Sequence, residues 1–139
     1  MKTLNEDTHS QIVALSKTGD TLLEQGHVKE AIAEYVHALS LLPEPIHEWE
    51  AATWLFTAIG DAYWEIHDYK RAYKALHSAL RSPEGIGNPF VHLRMGQVEY
   101  ELGNREKAVD DLLRAYMGAD KEIFEGEDPK YFKAIEGLI

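Results

Sequence analysis

Residues 60–76 read GDAYWEIHDYKRAYKAL, with rings, carboxylates and amines so crowded that the stretch has two readings. It is a reactive site, or it is two faces of ordinary helices. The spacing of its small residues decides. Gly60 is followed twelve residues later by Ala72, and Ala72 seven residues later by Ala79. The same steps run from Gly19 to Ala31 and Ala38, and from Gly96 to Ala108 and Ala115. Four residues after the first alanine stands a large side chain, Tyr35, Leu76 or Leu112. Three registers agreeing on small and large positions make an internal repeat.

The surrounding pattern is helical. Val28, Ala31, Ile32, Tyr35, Ala38, Leu39 and Leu42 recur at three- and four-residue steps, as one apolar stripe of a helix does. Tyr69, Ala72, Tyr73, Leu76, Ala79 and Leu80 repeat it, and so do Ala108, Val109, Leu112, Ala115 and Tyr116. Preceding stripes carry Ile12, Leu15, Gly19 and Leu22, then Phe56, Ile59, Gly60 and Tyr63. The small residues predict two antiparallel helices in close approach, joined at 25–27, 67–68 and 103–104. Pro43 and Pro45 separate the first two units. Asn88-Pro89 and Asp128-Pro129 each read as an N-cap followed by Pro at the first helical position.

The segments LSKTGDTLLEQGHVKEAIAEYVHALSLLP, FTAIGDAYWEIHDYKRAYKALHSAL and HLRMGQVEYELGNREKAVDDLLRAY resemble the tetratricopeptide repeat, whose period is about 34 residues. The resemblance implies an all-α solenoid of three helix pairs and a capping helix, in a single domain spanning 1–139. Repeat one is placed at about 12–45, repeat two at 46–86 and repeat three at 89–122, with the cap at 128–138. The glycines fall 41 and then 36 residues apart. The surplus is assigned to a lengthened first helix of repeat two, from about Ile46 to Ile66. Repeat three departs from the family at His92, Glu99 and Arg105, where large apolar residues are usual. The tail KYFKAIEGLI carries Tyr131, Phe132, Ile135 and Leu138 on one face and is expected, with 121–124, to cover the last apolar surface.

The composition excludes several functions. With no cysteine among 139 residues, disulfides, thiolate metal sites and Cys nucleophiles are ruled out. Twenty-four acids against fourteen Lys and Arg give a formal net charge of −10, which repels nucleic acid and suits a basic partner. The start MKTLNEDTHSQ has no apolar signal core, and no apolar run reaches the roughly 20 residues of a membrane span. A cytoplasmic protein is expected. HEWEA at His47 lacks the second histidine of a zincin motif, and His37 and His77 are expected to face outward, so no metal site is expected. PEGIGNP lacks the setting of a phosphate loop, and no serine stands in a nucleophile elbow. Neither an enzyme nor a cofactor is expected.

What remains is a surface. In the family the first helix of each pair lines the concave, ligand-bearing face. At matching offsets these helices supply Asp20 and Glu24, then Trp54, Thr57, Asp61, Trp64 and Glu65, then Phe90, Arg94, Gln97, Tyr100 and Glu101. The reading predicts a groove with aromatic residues on its floor and carboxylates on its rim, a type of surface that binds Arg-rich proteins. Members that capture acidic chaperone tails use Lys, Arg and Asn there. Here those places read Ser16, Asp20, Ala58, Phe90 and Arg94, and only Arg94 fits. The size and acidity are similar to small bacterial repeat proteins that act as immunity partners of toxins. The expected function is therefore binding of a basic protein, with toxin neutralisation as its sharpest form. A scaffold or secretion chaperone is the alternative. Self-association is a third reading, through the N-terminal helix, for which the sequence offers no obvious cap.

Overall fold

The computed structural model describes residues 3–139, and among them there is no β-strand. Seven α-helices follow one another: α1 (Glu6–Glu24), α2 (Val28–Ser40), α3 (Glu50–Glu65), α4 (Tyr69–Leu80), α5 (Pro89–Glu101), α6 (Arg105–Ala119) and α7 (Pro129–Glu136). Short 3₁₀ turns occupy Ile46–Glu48 and Lys121–Phe124. α1 pairs with α2, α3 with α4 and α5 with α6, and each pair stacks on the next.

The glycine code has a direct steric cause. A Cβ built on Gly19 would lie 2.7 Å from the Tyr35 ring; on Gly60 or Gly96 it would lie 2.6 or 2.7 Å from Cγ of Leu76 or Leu112. The large residue sixteen positions on therefore requires the glycine. The alanines (Ala31, Ala72, Ala108) are fully buried beside this contact but do not themselves make it. Tyr35, Leu76 and Leu112 each anchor a separate region of the core.

One expectation is corrected. The long helix from Ile46 to Ile66 does not form. Trp49 is extended (φ −103°, ψ 136°), and its indole N–H donates to the Pro43 carbonyl at 2.7 Å, so α3 begins only at Glu50. The surplus residues are spent on the 3₁₀ turn and this tethered tryptophan. At the start of α1, Asn5 Oδ1 accepts from the N–H groups of Asp7 and Thr8 at 2.8 and 3.4 Å. Asn5 lies seven residues, about two turns, ahead of Ile12, where the apolar stripe begins. The tail places Tyr131 and Ile135 in the core beside Leu93, Leu112 and Ala115.

Candidate functional site

The groove lies along α3 and α5, and its lining changes character partway. At the α1 end an open cleft of about 470 Å³ is walled by Thr53, Trp54, Thr57 and Ala58 from α3, Pro83 and Glu84 from the 81–88 loop, and Phe90 and Val91 from α5. Trp54 is 39% exposed and Phe90 67%. Thr57 Oγ1 donates to the Thr53 carbonyl, which leaves its methyl as the group it offers. Trp54 and Glu50 also line a second cleft of about 820 Å³, which runs to Leu4, Glu6 and His9 at the start of α1.

The loop that walls both clefts is held by buried polar contacts. Thr53 Oγ1 donates to the Pro83 carbonyl at 2.6 Å. Ser82 Oγ donates to the Ser78 carbonyl at 2.9 Å and sits 3.2 Å from Nδ1 of His47, whose ring stacks on Phe56. Gly87 N–H donates to Nε2 of His92 at 2.9 Å, which leaves Nδ1 to donate to Asp111 at 2.7 Å. Asp111 in turn takes a hydrogen bond from Glu99. Burial, then the hydrogen bond and repulsion from Asp111, pushes Glu99 up to about 9, so it is a neutral acid at pH 7. Burial alone would raise Asp111, but the bonds from His92 and Glu99 outweigh it and hold the carboxylate below its usual range. His92 and Glu99 thus stand at apolar positions because they support one another and the loop. None of Thr53, Ser82, His92 and Glu99 was a site candidate. The one signal for them was the polarity of two stripe positions.

At the α7 end the chain itself narrows the groove to an open cleft of about 690 Å³, lined by Asp61, Trp64, Glu65, Arg94 and Glu101 together with Glu127, Lys130 and Tyr131. Glu127 Oε1 accepts from Gln97 Nε2 at 2.6 Å and from Arg94 Nη1 at 3.2 Å. Arg94 also donates through Nε to Asp61 at 2.8 Å and through Nη1 to Gln97 at 2.6 Å, and its guanidinium lies 5.2 Å from the centre of the Trp64 ring. Lys130 pairs with Glu101 at 3.1 Å, and Tyr131 lies against both Trp64 and Tyr100. Arg105 stacks on Tyr100, its guanidinium 3.8 Å from the ring centre.

The twelve candidate residues therefore divide. Trp54, Thr57 and Phe90 share the open cleft, and Asp61 stands at its border. Trp64, Glu65, Arg94 and Glu101 line the cleft at the α7 end, where Trp64, Arg94 and Glu101 also contact the tail; Tyr100 packs on the tail and Gln97 is fully buried. Asp20 accepts from the Tyr35 hydroxyl. Glu24 and Glu65 are exposed. The tail brings in Glu127, Lys130 and Tyr131, whose chemistry matches the groove residues they meet.

No family model matches the chain, and no curated protein matches it. Solved structures do. The C-terminal domain, containing tetratricopeptide repeats, of a putative FK506-binding protein from Plasmodium falciparum superposes with a TM-score of 0.74 at 16% identity, covering 97% of this chain and 90% of that one. The Yersinia enterocolitica type III secretion chaperone SycD, in complex with a peptide of the translocator YopD, gives 0.74 at 15% identity, over 96% of each chain. The first repeat domain of Spaghetti (RPAP3), bound to an HSP90 peptide, gives 0.71 at 19%, over 93% and 96%. This chain has the tetratricopeptide-repeat fold, an all-α solenoid.

Proposed function

We propose that this protein is a non-catalytic interaction module that binds a basic protein through the open part of its concave face, in its sharpest form by occluding a toxin. The observation that carries the reading is the pairing of Trp54 and Phe90, both exposed, in one cleft bordered by Glu50, Asp61 and Glu84. Exposed aromatic rings beside carboxylates offer a guanidinium both a π-face and a counter-charge. The net charge of −10 would speed encounter with a cationic partner. SycD with its YopD peptide and RPAP3 with its HSP90 peptide support peptide capture by this fold.

The test is site-specific photo-crosslinking in cells, with the crosslinker at Phe90 or, as a control, at Lys74 on α4. A single protein captured from position 90 and not from 74 is expected. The double variant Trp54→Ala/Phe90→Ala should then weaken that partner's binding by about a hundredfold with unchanged far-UV circular dichroism. Unaltered binding refutes the reading. A second reading, a chaperone or scaffold subunit of a secretion or assembly complex, is favoured by the likeness to SycD. It predicts several clients at micromolar affinity where a toxin antagonist would hold one at nanomolar affinity.

A further inference from the structure

The groove has one occupant already, and this narrows what else it accepts. The segment Glu127–Tyr131 lies in its α7 half as a bound peptide would. It offers a carboxylate to Arg94 and the buried Gln97, an ammonium to Glu101, and a ring to Trp64 and Tyr100. The Lys and Arg side chains that line that cleft are matched: Arg94 by Asp61 and Glu127, Lys130 by Glu101. The α1 half is different. Its clefts expose Trp54, Phe90 and part of Trp49 and are bordered by Glu6, Glu50, Asp61 and Glu84; among the described residues no Lys or Arg lines either one. Both halves carry more carboxylates than cations, but the α7 half has its own Arg94 and Lys130 while the α1 half has neither.

Resting on the reading of this face as a protein-binding groove, we infer that the groove is divided at the Arg94–Glu127 pair, and that its α1 half takes a short linear segment in which Lys or Arg alternates with large apolar residues. The apolar side chains pack on Trp54 and Phe90 while the cations face Glu50 and Glu84. A ligand helix running the whole groove would meet residues 127–131 along its α7 half. An acidic tail is excluded by the carboxylate border.

Fluorescence polarisation with labelled synthetic peptides on the full chain tests this. (Arg-Leu)₄ should bind, (Arg-Ser)₄ at least about tenfold more weakly, and (Glu-Leu)₄ not measurably. Trp54→Ala/Phe90→Ala should weaken (Arg-Leu)₄ at least about tenfold, and Glu50→Gln/Glu84→Gln should do so while reducing the salt dependence. Glu127→Gln, which keeps the size of the side chain, should leave its affinity within about twofold. Equal binding of (Arg-Leu)₄ and (Arg-Ser)₄ without effect of Trp54→Ala/Phe90→Ala overturns the inference, as does a tenfold change on Glu127→Gln in a variant of unchanged helicity. If the peptides fail while position 90 still crosslinks one protein in cells, the proposed ligand class is wrong and the interaction reading stands. If both fail, the reading falls with it.

Discussion

Replacing Gly85 with alanine is expected to lower stability by about 3 kcal/mol or more, and the melting temperature by about 10 °C. A Cβ on Gly85 would overlap the Ala79 carbonyl oxygen and lie 2.8 Å from Cα of Leu80. Both obstacles are backbone at the end of α4, so no rotamer change relieves them. Gly85 N–H donates to the Ser82 carbonyl and its own carbonyl accepts from Asn88, so displacing it breaks the turn that caps α5. Its neighbour Glu84 already sits at φ +59°, a left-handed conformation that a non-glycine residue adopts at a cost. Gly87→Ala is the control. Its φ of +89° is strained for alanine but the space is open, so about 1 kcal/mol is expected. Thermal unfolding followed by circular dichroism separates the two, and equal small losses would show that the loop does not depend on this approach.

Glu99→Gln is expected to stabilise the protein at alkaline pH and not at acid pH. The folded-state pKa of Glu99 is raised, to about 9, above the ordinary value of 4.5. The native state therefore holds a proton that the unfolded chain releases as the pH rises past 4.5. Stability from this group is complete below about pH 4.5 and is lost as pH climbs towards 9. The amide of glutamine donates to Asp111 as the neutral acid does but never titrates. At pH 8 the variant should exceed the parent by several kcal/mol, and at pH 4.5 the two should nearly coincide. Denaturant titrations across pH 4.5–9 give the two curves; parallel curves would mean that Glu99 is not the proton holder. Asp111 acts in the opposite direction, its lowered pKa contributing stability that is lost as the pH falls. That part is common to both proteins.

The repeat was legible in the sequence because steric fit leaves a mark at fixed spacing. Gly60 and Leu76 constrain each other, so a residue type at one position implies one sixteen positions away. Stripe residues such as Ala72 and Leu112 were readable for the same reason. Trp49 was not, since the carbonyl that holds it belongs to an irregular stretch with no period. The groove was half legible. Trp54 and Phe90 follow from helical offset alone, and both line the cleft. The fate of Trp64, Gln97 and Glu101 depended on Glu127, in the loop before α7, and on Lys130 and Tyr131 in its first turn, 30, 29 and, for Trp64, 67 residues on. Nothing local in sequence records that meeting. His92 and Glu99 were visible as departures from the pattern, but their meaning required Asp111 and Gly87 to be placed beside them.

Stacked repeats ordinarily touch only their neighbours, so such arrays tend to open from either end, one unit at a time. Tyr131 breaks that rule. It reaches past the third helix pair to Trp64 on the second, while Arg94 ties Asp61 on α3 to Glu127 beyond α6. From Glu50 to Glu136 the chain thus closes on itself, and that span behaves as one cooperative foldon. The pair α1–α2 is joined on one side only. In native-state amide exchange, opening begins there, and residues bordering Trp54 lose their α1 neighbour long before the Arg94 network yields.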